Sequence, residues 1–134
     1  MHLFLTTKLY FTIIAWFTSA TGEIYCRYSK TVYAVKDMAD FKSQLESAGD
    51  KLVVVDFFAT WCSPCKTVGP HFEEMSKDTT VVFLKVDIDE CDDIAAEYKI
   101  TRTPTFIFIK NKQKVGDLTG ADIKKLKEMV AANK

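Results

Sequence analysis

Apolar residues gather in short unbroken runs along the chain, and these runs predict buried strands. The runs at residues 52–58, 81–87 and 105–109 are rich in valine, isoleucine and phenylalanine. This composition is typical of strands that are covered on both faces of a sheet. A shorter apolar stretch at 32–35 predicts an opening strand, and residues 114–119, after a polar turn, predict an antiparallel partner for the strand before them.

Between these runs, apolar side chains recur every three or four residues, which predicts helices. The first such stretch follows Asp37, a favourable N-cap residue, and ends at Gly49. The second contains Pro70, which we expect to kink the helix. The predicted helices cover residues 38–48, about 62–77, a short segment through Ala95 and Tyr98, and about 122–132.

The predicted elements follow one another in the order β-α-β-α-β-α-β-β-α. Such alternation requires right-handed crossovers and a mixed sheet with helices on both faces, so the predicted fold class is α/β. With 134 residues, 48% of them hydrophobic, the chain is long enough for one domain with a substantial core. Because 18 basic residues balance 18 acidic ones without a basic stripe, we expect no nucleic-acid partner.

The first 28 residues differ in composition from the rest. Residues 9–22 carry no charge and are mostly apolar, with Lys8 before them and small residues at their end. This arrangement is typical of a secretory signal peptide, and 14 residues are too few to span a bilayer comfortably. The alternative is an N-terminal extension without that role. We therefore expect a leader or extension at 1–28 and one domain at 29–134, secreted if the leader works and cytoplasmic if it does not.

Two cysteines, Cys62 and Cys65, lie two residues apart where the strand at 52–58 gives way to a helix. In a β-α-β context this spacing indicates a redox pair. A haem-attachment site would require histidine after the second cysteine, and Lys66 stands there instead. Half of a zinc site is the alternative, but it lacks a second ligand pair. Its only further candidate ligands are Cys26, Cys91, His71 and His2.

The position of Cys62 at a helix N-terminus predicts its chemistry. Unpaired backbone N–H groups and the positive end of the helix dipole favour the thiolate, and thiols in such sites have a pKa of about 3.5–7.5. Cys62 is therefore the expected nucleophile. Cys65 lies one turn further into the helix, and we expect it to be less exposed and to resolve the mixed disulfide. Pro64 suits the first helical turn because no N–H is needed there.

The sequence VDFFATWCSPCK at residues 55–66 resembles the active-site segment of the thioredoxin family. The resemblance continues beyond it: TPT at 103–105 is similar to that family's cis-proline loop. KVG at 114–116 and GA at 120–121 are similar to its closing hairpin and last helix. About residues 30–134 take part. The resemblance implies the thioredoxin fold and reduction of protein disulfides by exchange at Cys62 and Cys65.

The resemblance also implies cofactors and partners. No cofactor or metal is expected to be bound, and electrons would come indirectly from NADPH through a thioredoxin reductase. Disulfide-containing proteins such as peroxiredoxins would be the substrates. The mature domain would be a soluble monomer.

Asp56 and Lys85 interrupt two apolar runs that should form neighbouring strands. A buried carboxylate costs several kcal/mol unless it is paired or protonated. One interpretation is structural, an ion pair in which Lys85 is the partner of Asp56. The other gives Asp56 a pKa raised by burial and makes it the proton acceptor for Cys65, through a water. The resemblance favours the second, and the two are compatible.

Five residues near the cysteine pair are predicted to contact substrate. Trp61 could be a core residue, but beside Cys62 we expect it to shield the thiolate and offer a flat apolar surface. Pro104 could be an ordinary proline at a strand start. The resemblance instead implies a cis peptide after Thr103, facing the cysteines, with backbone groups available to an extended substrate chain. Ser63 and Pro64 complete the predicted contact set.

The sequence departs from the family pattern at three positions. Ser63 stands where glycine is usual, which stiffens the loop. Arg102 would place a positive charge near Cys62, where it could favour the thiolate and attract acidic partners, or could be a solvated loop charge. Cys91 resembles an extra cysteine of animal thioredoxins. Its acidic neighbours should disfavour the thiolate, so we interpret it as structural or as a weak regulatory thiol.

Two other functions fit the same fold. The leader-like segment favours a disulfide oxidase or isomerase of the secretory pathway, but no retention tetrapeptide ends the sequence. The other is a thioredoxin-like binding module without catalysis, which intact Cys62, Cys65, Asp56 and Pro104 argue against. The redox potential of the cysteine pair would distinguish a reductase from the oxidase or isomerase. An insulin-reduction assay would distinguish a reductase from the binding module.

Overall fold

The structure, a computed structural model, describes residues 31–134. The predictions for residues 1–28, and the candidate ligands His2 and Cys26, lie outside the described residues. The strands are β1 (Val32–Ala34), β2 (Leu52–Phe58), β3 (Val81–Asp87), β4 (Thr105–Lys110) and β5 (Gln113–Thr119). The helices are α1 (Met38–Ala48), α2 (Ser63–Met75), α3 (Asp92–Glu97) and α4 (Ile123–Asn133). The predicted order of elements is confirmed.

The strands form one five-stranded sheet in the order β1-β3-β2-β4-β5. β1, β3 and β2 run parallel, while β4 pairs antiparallel with both β2 and β5. The sheet is therefore mixed, and the predicted α/β class is confirmed. β2 lies in the middle, and its first six residues are buried, as expected for a strand covered on both faces.

Two apolar clusters fill the space between the sheet and the helices. On one face, Val53, Val55 and Phe57 of β2 pack in a cluster with residues of α1 and α3. On the other face, Leu52 and Val54 pack with residues of α2 and α4. Alternate residues of one strand thus support opposite layers. Asp56 shares the parity of Leu52 and Val54, which places its carboxyl on the α2 side.

Local signals begin and end the helices where the sequence indicated. The Asp37 side chain accepts a hydrogen bond from the Asp40 N–H at 2.7 Å and caps α1. Gly49 ends that helix with a φ of 61°, a conformation that favours glycine. Pro70 lies inside α2, where its missing N–H removes one helical hydrogen bond. No helix between residues 31 and 134 is long and apolar enough to cross a bilayer.

Candidate active site

Cys62 and Cys65 meet at the start of α2, where they form a disulfide with their Cα atoms 5.3 Å apart. Cys62 is the N-cap residue, and its Sγ accepts a hydrogen bond from the Cys65 backbone N–H at 3.2 Å. Pro64 occupies the first turn, as predicted. A donor aimed at Sγ and the positive end of the helix dipole both favour negative charge on this sulfur once the disulfide is reduced.

The predicted difference in exposure between the two cysteines is wrong for the disulfide form. Cys62 is 4% exposed and Cys65 is 7% exposed, so both are buried. The reason is the bond itself, which holds the Cys62 sulfur against Cys65 in a small cluster with Ala59. The surface around the pair comes instead from its neighbours, since Trp61, Ser63 and Pro64 are all exposed.

Asp56 is buried in the middle of β2, with only 6% of its surface exposed. No described residue gives a hydrogen bond to its Oδ1. Burial raises the pKa of this carboxyl to about 7, and the positive charge of Lys85 opposes part of that rise. Asp56 and Cys65 line the same cavity, which has a volume of about 280 Å³. A carboxyl with such a pKa can hold or release a proton near neutral pH.

Lys85 lies directly opposite Asp56 in the register of β2 and β3. Within residues 31–134, however, no ion pair links the two side chains at 4.0 Å or less. The Lys85 Nζ lies 5.8 Å from the centre of the Phe58 ring, an aromatic face that attracts a cation. The predicted partnership is thus an electrostatic influence across the cavity rather than a contact ion pair.

Trp61 is 68% exposed, which excludes a role in the core. Its Nε1 donates a hydrogen bond to Asp89 Oδ2 at 2.9 Å. The sequence analysis did not predict this contact. The sequence gives no local sign of it, because Trp61 and Asp89 are 28 residues apart along the chain. Only the pairing of β2 with β3 brings their two loops together. The indole therefore has a fixed polar anchor beside Cys62.

The peptide bond between Thr103 and Pro104 is cis, as the resemblance implied. Since Thr105 is paired with Phe57, this loop lies at the same end of the sheet as the cysteines. Pro104 is buried, and its carbonyl accepts a hydrogen bond from the Gly120 N–H at 2.9 Å. Thr103 is half-buried, and no hydrogen bond within residues 31–134 engages its backbone. Of the two residues joined by the cis bond, Thr103 is the one whose backbone groups are available.

Arg102 and Cys91 have different environments. Arg102 is exposed, and its carbonyl accepts a hydrogen bond from the Thr105 hydroxyl at 2.7 Å, so its loop is held against β4. Cys91 is buried, and its thiol donates to the carbonyls of Val35 and Lys36. Burial and the nearby acidic side chains raise the pKa of the Cys91 thiol. These features support the structural interpretation of Cys91.

The described residues offer no support for the zinc alternative. From residue 31 to residue 134, no group of three or more histidine, cysteine or acidic side chains is placed to hold a metal ion. The two cysteines of the motif are bonded to each other. This bond is what a redox pair requires.

The comparison with known proteins agrees with this geometry. The family model described as Thioredoxin matches residues 32–132. This chain belongs to the thioredoxin family. It is 50% identical over 100 residues to the thioredoxin of Oryctolagus cuniculus, covering 74% of this chain and 95% of that protein. It is 47% identical over 100 residues to the thioredoxin of Homo sapiens, again covering 74% of this chain and 95% of that protein.

Solved thioredoxin structures share the fold. The reduced Schistosoma mansoni thioredoxin pre-protein superimposes with a TM-score of 0.74 and 48% identity, over 77% of this chain and 98% of that one. Fasciola hepatica thioredoxin superimposes with a TM-score of 0.75 and 38% identity, over 76% of this chain and 99% of that one. Family membership and the bonded cysteine pair together make the protein a thiol–disulfide oxidoreductase that reduces protein disulfides. They favour this activity over both alternatives.

Proposed function

We propose that Cys62, Cys65 and Asp56 divide the reduction of a protein disulfide between them. The Cys62 thiolate attacks one substrate sulfur, which breaks the substrate disulfide, forms a mixed disulfide and releases one substrate thiolate. Cys65 then gives its proton to the Asp56 carboxylate and attacks the Cys62 sulfur. This second exchange closes the Cys62–Cys65 disulfide and releases the other substrate thiolate, which takes a proton from solvent.

The shared cavity of Asp56 and Cys65 carries this assignment. A proton acceptor for Cys65 must reach the thiol directly or through one water, and it must be able to titrate near the working pH. Asp56 lines the same cavity as Cys65, and its pKa is about 7. Lys85 tunes this carboxyl by favouring its charged form.

The exposed surface beside the disulfide supports a mode of substrate binding. Trp61, held by Asp89, offers an apolar plane, and Ser63 and Pro64 continue the exposed surface. The unpaired backbone of Thr103 can hydrogen-bond to an extended substrate chain, as in other cases of strand addition. Recognition of this kind reads the substrate backbone and tolerates many sequences. Pro104 orients Thr103 rather than presenting its own side chain.

An insulin-reduction assay with single variants tests the division of roles. We expect Cys62→Ser to abolish turnover, and Cys65→Ser to stop after one attack and accumulate the mixed disulfide. Asp56→Asn should slow release of the reduced substrate about 10-fold or more, since general base catalysis contributes about 10²–10⁴-fold. Cys91→Ser is the control and should keep parental turnover. Parental turnover in Cys62→Ser would contradict the assignment.

The family further suggests the partners. We propose disulfide-containing proteins such as peroxiredoxins as substrates and a thioredoxin reductase that draws on NADPH as the electron source. A coupled assay with purified thioredoxin reductase, in which NADPH consumption follows peroxiredoxin reduction, tests this proposal.

For the compartment we propose the secretory pathway if residues 1–28 are removed as a leader and the cytoplasm if they are retained. N-terminal sequencing of the mature protein distinguishes the two.

A further inference from the structure

The cavity beside Asp56 is bounded on one side by Gly69 of α2. Gly69 is half-buried, and a Cβ atom added there would meet no heavy atom within 4 Å. The same cavity is lined by Asp56, Cys65 and Lys85. It therefore extends from the buried carboxyl to a helix position that carries no side chain.

Gly69 lies in α2 directly before Pro70, where a residue without a Cβ avoids a clash with the proline ring. It has no positive φ, and apart from its two chain neighbours and the backbone of its own helix no atom lies within 4 Å of a Cβ added there. Glycine also favours the helical state less than any residue except proline. What the missing side chain leaves is open space at the cavity. Position 69 therefore adds no side-chain atoms to the wall of the cavity.

The buried carboxyl needs such an opening. Oδ1 of Asp56 has no hydrogen-bond donor among residues 31–134, and only 6% of the surface of Asp56 is exposed. Buried polar atoms without a protein partner are satisfied by water wherever the space is polar and large enough. A cavity of about 280 Å³ with Lys85, Lys66 and Glu73 on its walls meets both conditions.

We propose that Gly69 keeps open the solvent path through which Asp56 passes its proton to water after each catalytic cycle. This proposal rests on the proposed role of Asp56. When Cys65 attacks, its proton moves to Asp56, and water in the opening lets the carboxyl exchange that proton with solvent. The charged and titratable groups on the path are Lys85 from β3 and Cys65, Lys66 and Glu73 from α2. Water in the opening carries the proton past them to solvent.

Substitution of Gly69 tests the path in the full-length protein. The side chain of Gly69→Leu should cover the opening, and Gly69→Ala should narrow it less. His71→Leu is the control, because His71 is exposed on the same helix and does not line the cavity. The pKa of the Asp56 carboxyl is measured by ¹³C NMR in the disulfide form. Release of reduced insulin from the mixed disulfide is measured between pH 6 and 9.

We expect Gly69→Leu to raise the measured pKa of Asp56 by about 0.5–1 pH unit, because less water reaches the carboxylate. Substrate release should slow by about 3- to 10-fold near neutral pH and shift its pH profile upward by the same amount. The rate at which Cys62 attacks insulin should stay at the parental value. Gly69→Ala should lie between the parent and Gly69→Leu, and His71→Leu should match the parent. Thermal unfolding confirms that each variant is folded.

Two results would overturn the proposal, and they are distinguishable. If Gly69→Leu leaves the Asp56 pKa and the release rate unchanged while Asp56→Asn slows release, the path is wrong and the role of Asp56 stands. If Asp56→Asn releases substrate at the parental rate, the role of Asp56 fails and the path has no proton to carry.

Discussion

At the scale of single residues, the molecule sets its chemistry by burying a few polar groups among apolar ones. Asp56 lies in a strand whose neighbours are valine and phenylalanine, and this burial raises its pKa to about 7. The Cys62 sulfur, also buried, faces the backbone N–H of Cys65. Identical side chains on the surface would have ordinary acidities, so their place in the fold gives these residues their chemistry.

Asp56→Asn should make the protein more stable at alkaline pH. Because the folded-state pKa is raised, the carboxyl does not lower the free energy of unfolding below its unfolded pKa of about 3.8. The destabilisation grows as the pH rises to about 7. A pKa that is higher by about three in the folded protein lowers the free energy of unfolding by at most about 4 kcal/mol above pH 7. Urea unfolding of the disulfide form at pH 4 and pH 8.5 measures this difference. Asp50→Asn, at an exposed position, is the control and should show no such gain.

Arg102→Ala should shift the pH profile of Cys62 alkylation upward. The guanidinium is exposed in the loop before the cis peptide bond, at the same end of the sheet as the cysteines. Its positive charge should favour the thiolate, and we expect a shift of about 0.3–0.5 pH unit because solvent and salt screen it. Iodoacetamide alkylation of the reduced protein across pH measures the shift. Lys127→Ala, on α4, should leave the profile unchanged, and an unchanged profile for Arg102→Ala would show that the charge is merely solvated.

At the scale of elements, the end of β2 and the loop after β3 form one unit. The Ile88 N–H donates to the Phe58 carbonyl at 3.0 Å, and the Asp89 N–H donates to Asp87 Oδ1 at 2.9 Å. These bonds place the Asp89 carboxylate where it accepts from the Trp61 indole. The acidic loop is therefore part of the surface beside the disulfide, although it belongs to another strand.

Asp89→Ala should weaken substrate binding without changing the chemical step. Loss of the hydrogen bond frees the exposed indole of Trp61, and a bond of this type contributes about 0.5–1.5 kcal/mol. We therefore expect KM for insulin to rise about 2- to 10-fold while kcat stays near the parental value. Steady-state reduction measures both constants. Glu90→Ala removes an exposed neighbouring charge and should leave KM nearly unchanged; an equal effect of the two variants would indicate general electrostatics instead.

At the scale of the whole molecule, residues 32–134 form one compact unit that contains both apolar clusters and the site. The two clusters cover opposite faces of β2, so the strand that carries Asp56 is fixed from both sides. The cysteine pair follows that strand at the end of the sheet. The unit therefore holds every part of the proposed mechanism.

A protein consisting of residues 29–134 should fold and reduce insulin at the parental rate. Its melting temperature should stay within about 2 °C of that of the full chain, which corresponds to less than about 0.5 kcal/mol. A shorter variant that begins at residue 36 loses β1 and the buried Val35, and it should melt at a lower temperature. Thermal unfolding and the insulin assay measure both. Failure of the longer variant to fold would show that residues 1–28 are needed for the domain.

Much of the fold could be predicted because its signals are local. Apolar runs marked β2, β3 and β4, and Asp37 and Gly49 marked the ends of α1. The cysteine spacing and its place after β2 indicated the redox pair. The contact between Trp61 and Asp89 could not be predicted this way, because it joins residues that are distant along the chain. The burial of both Cys62 and Cys65 depends on the disulfide and on the packing around it.

The sequence by itself determined the order of the elements, the redox motif and the presence of a carboxyl in an apolar strand, since each is written in neighbouring residues. Only the tertiary structure decided how these parts act on one another. Strand pairing placed Lys85 opposite Asp56, yet without a contact ion pair, and the packing of α2 left a cavity between Asp56, Cys65 and Gly69. Burial, distance and open space are properties of the folded chain, and they set the acidity and the access of its chemical groups.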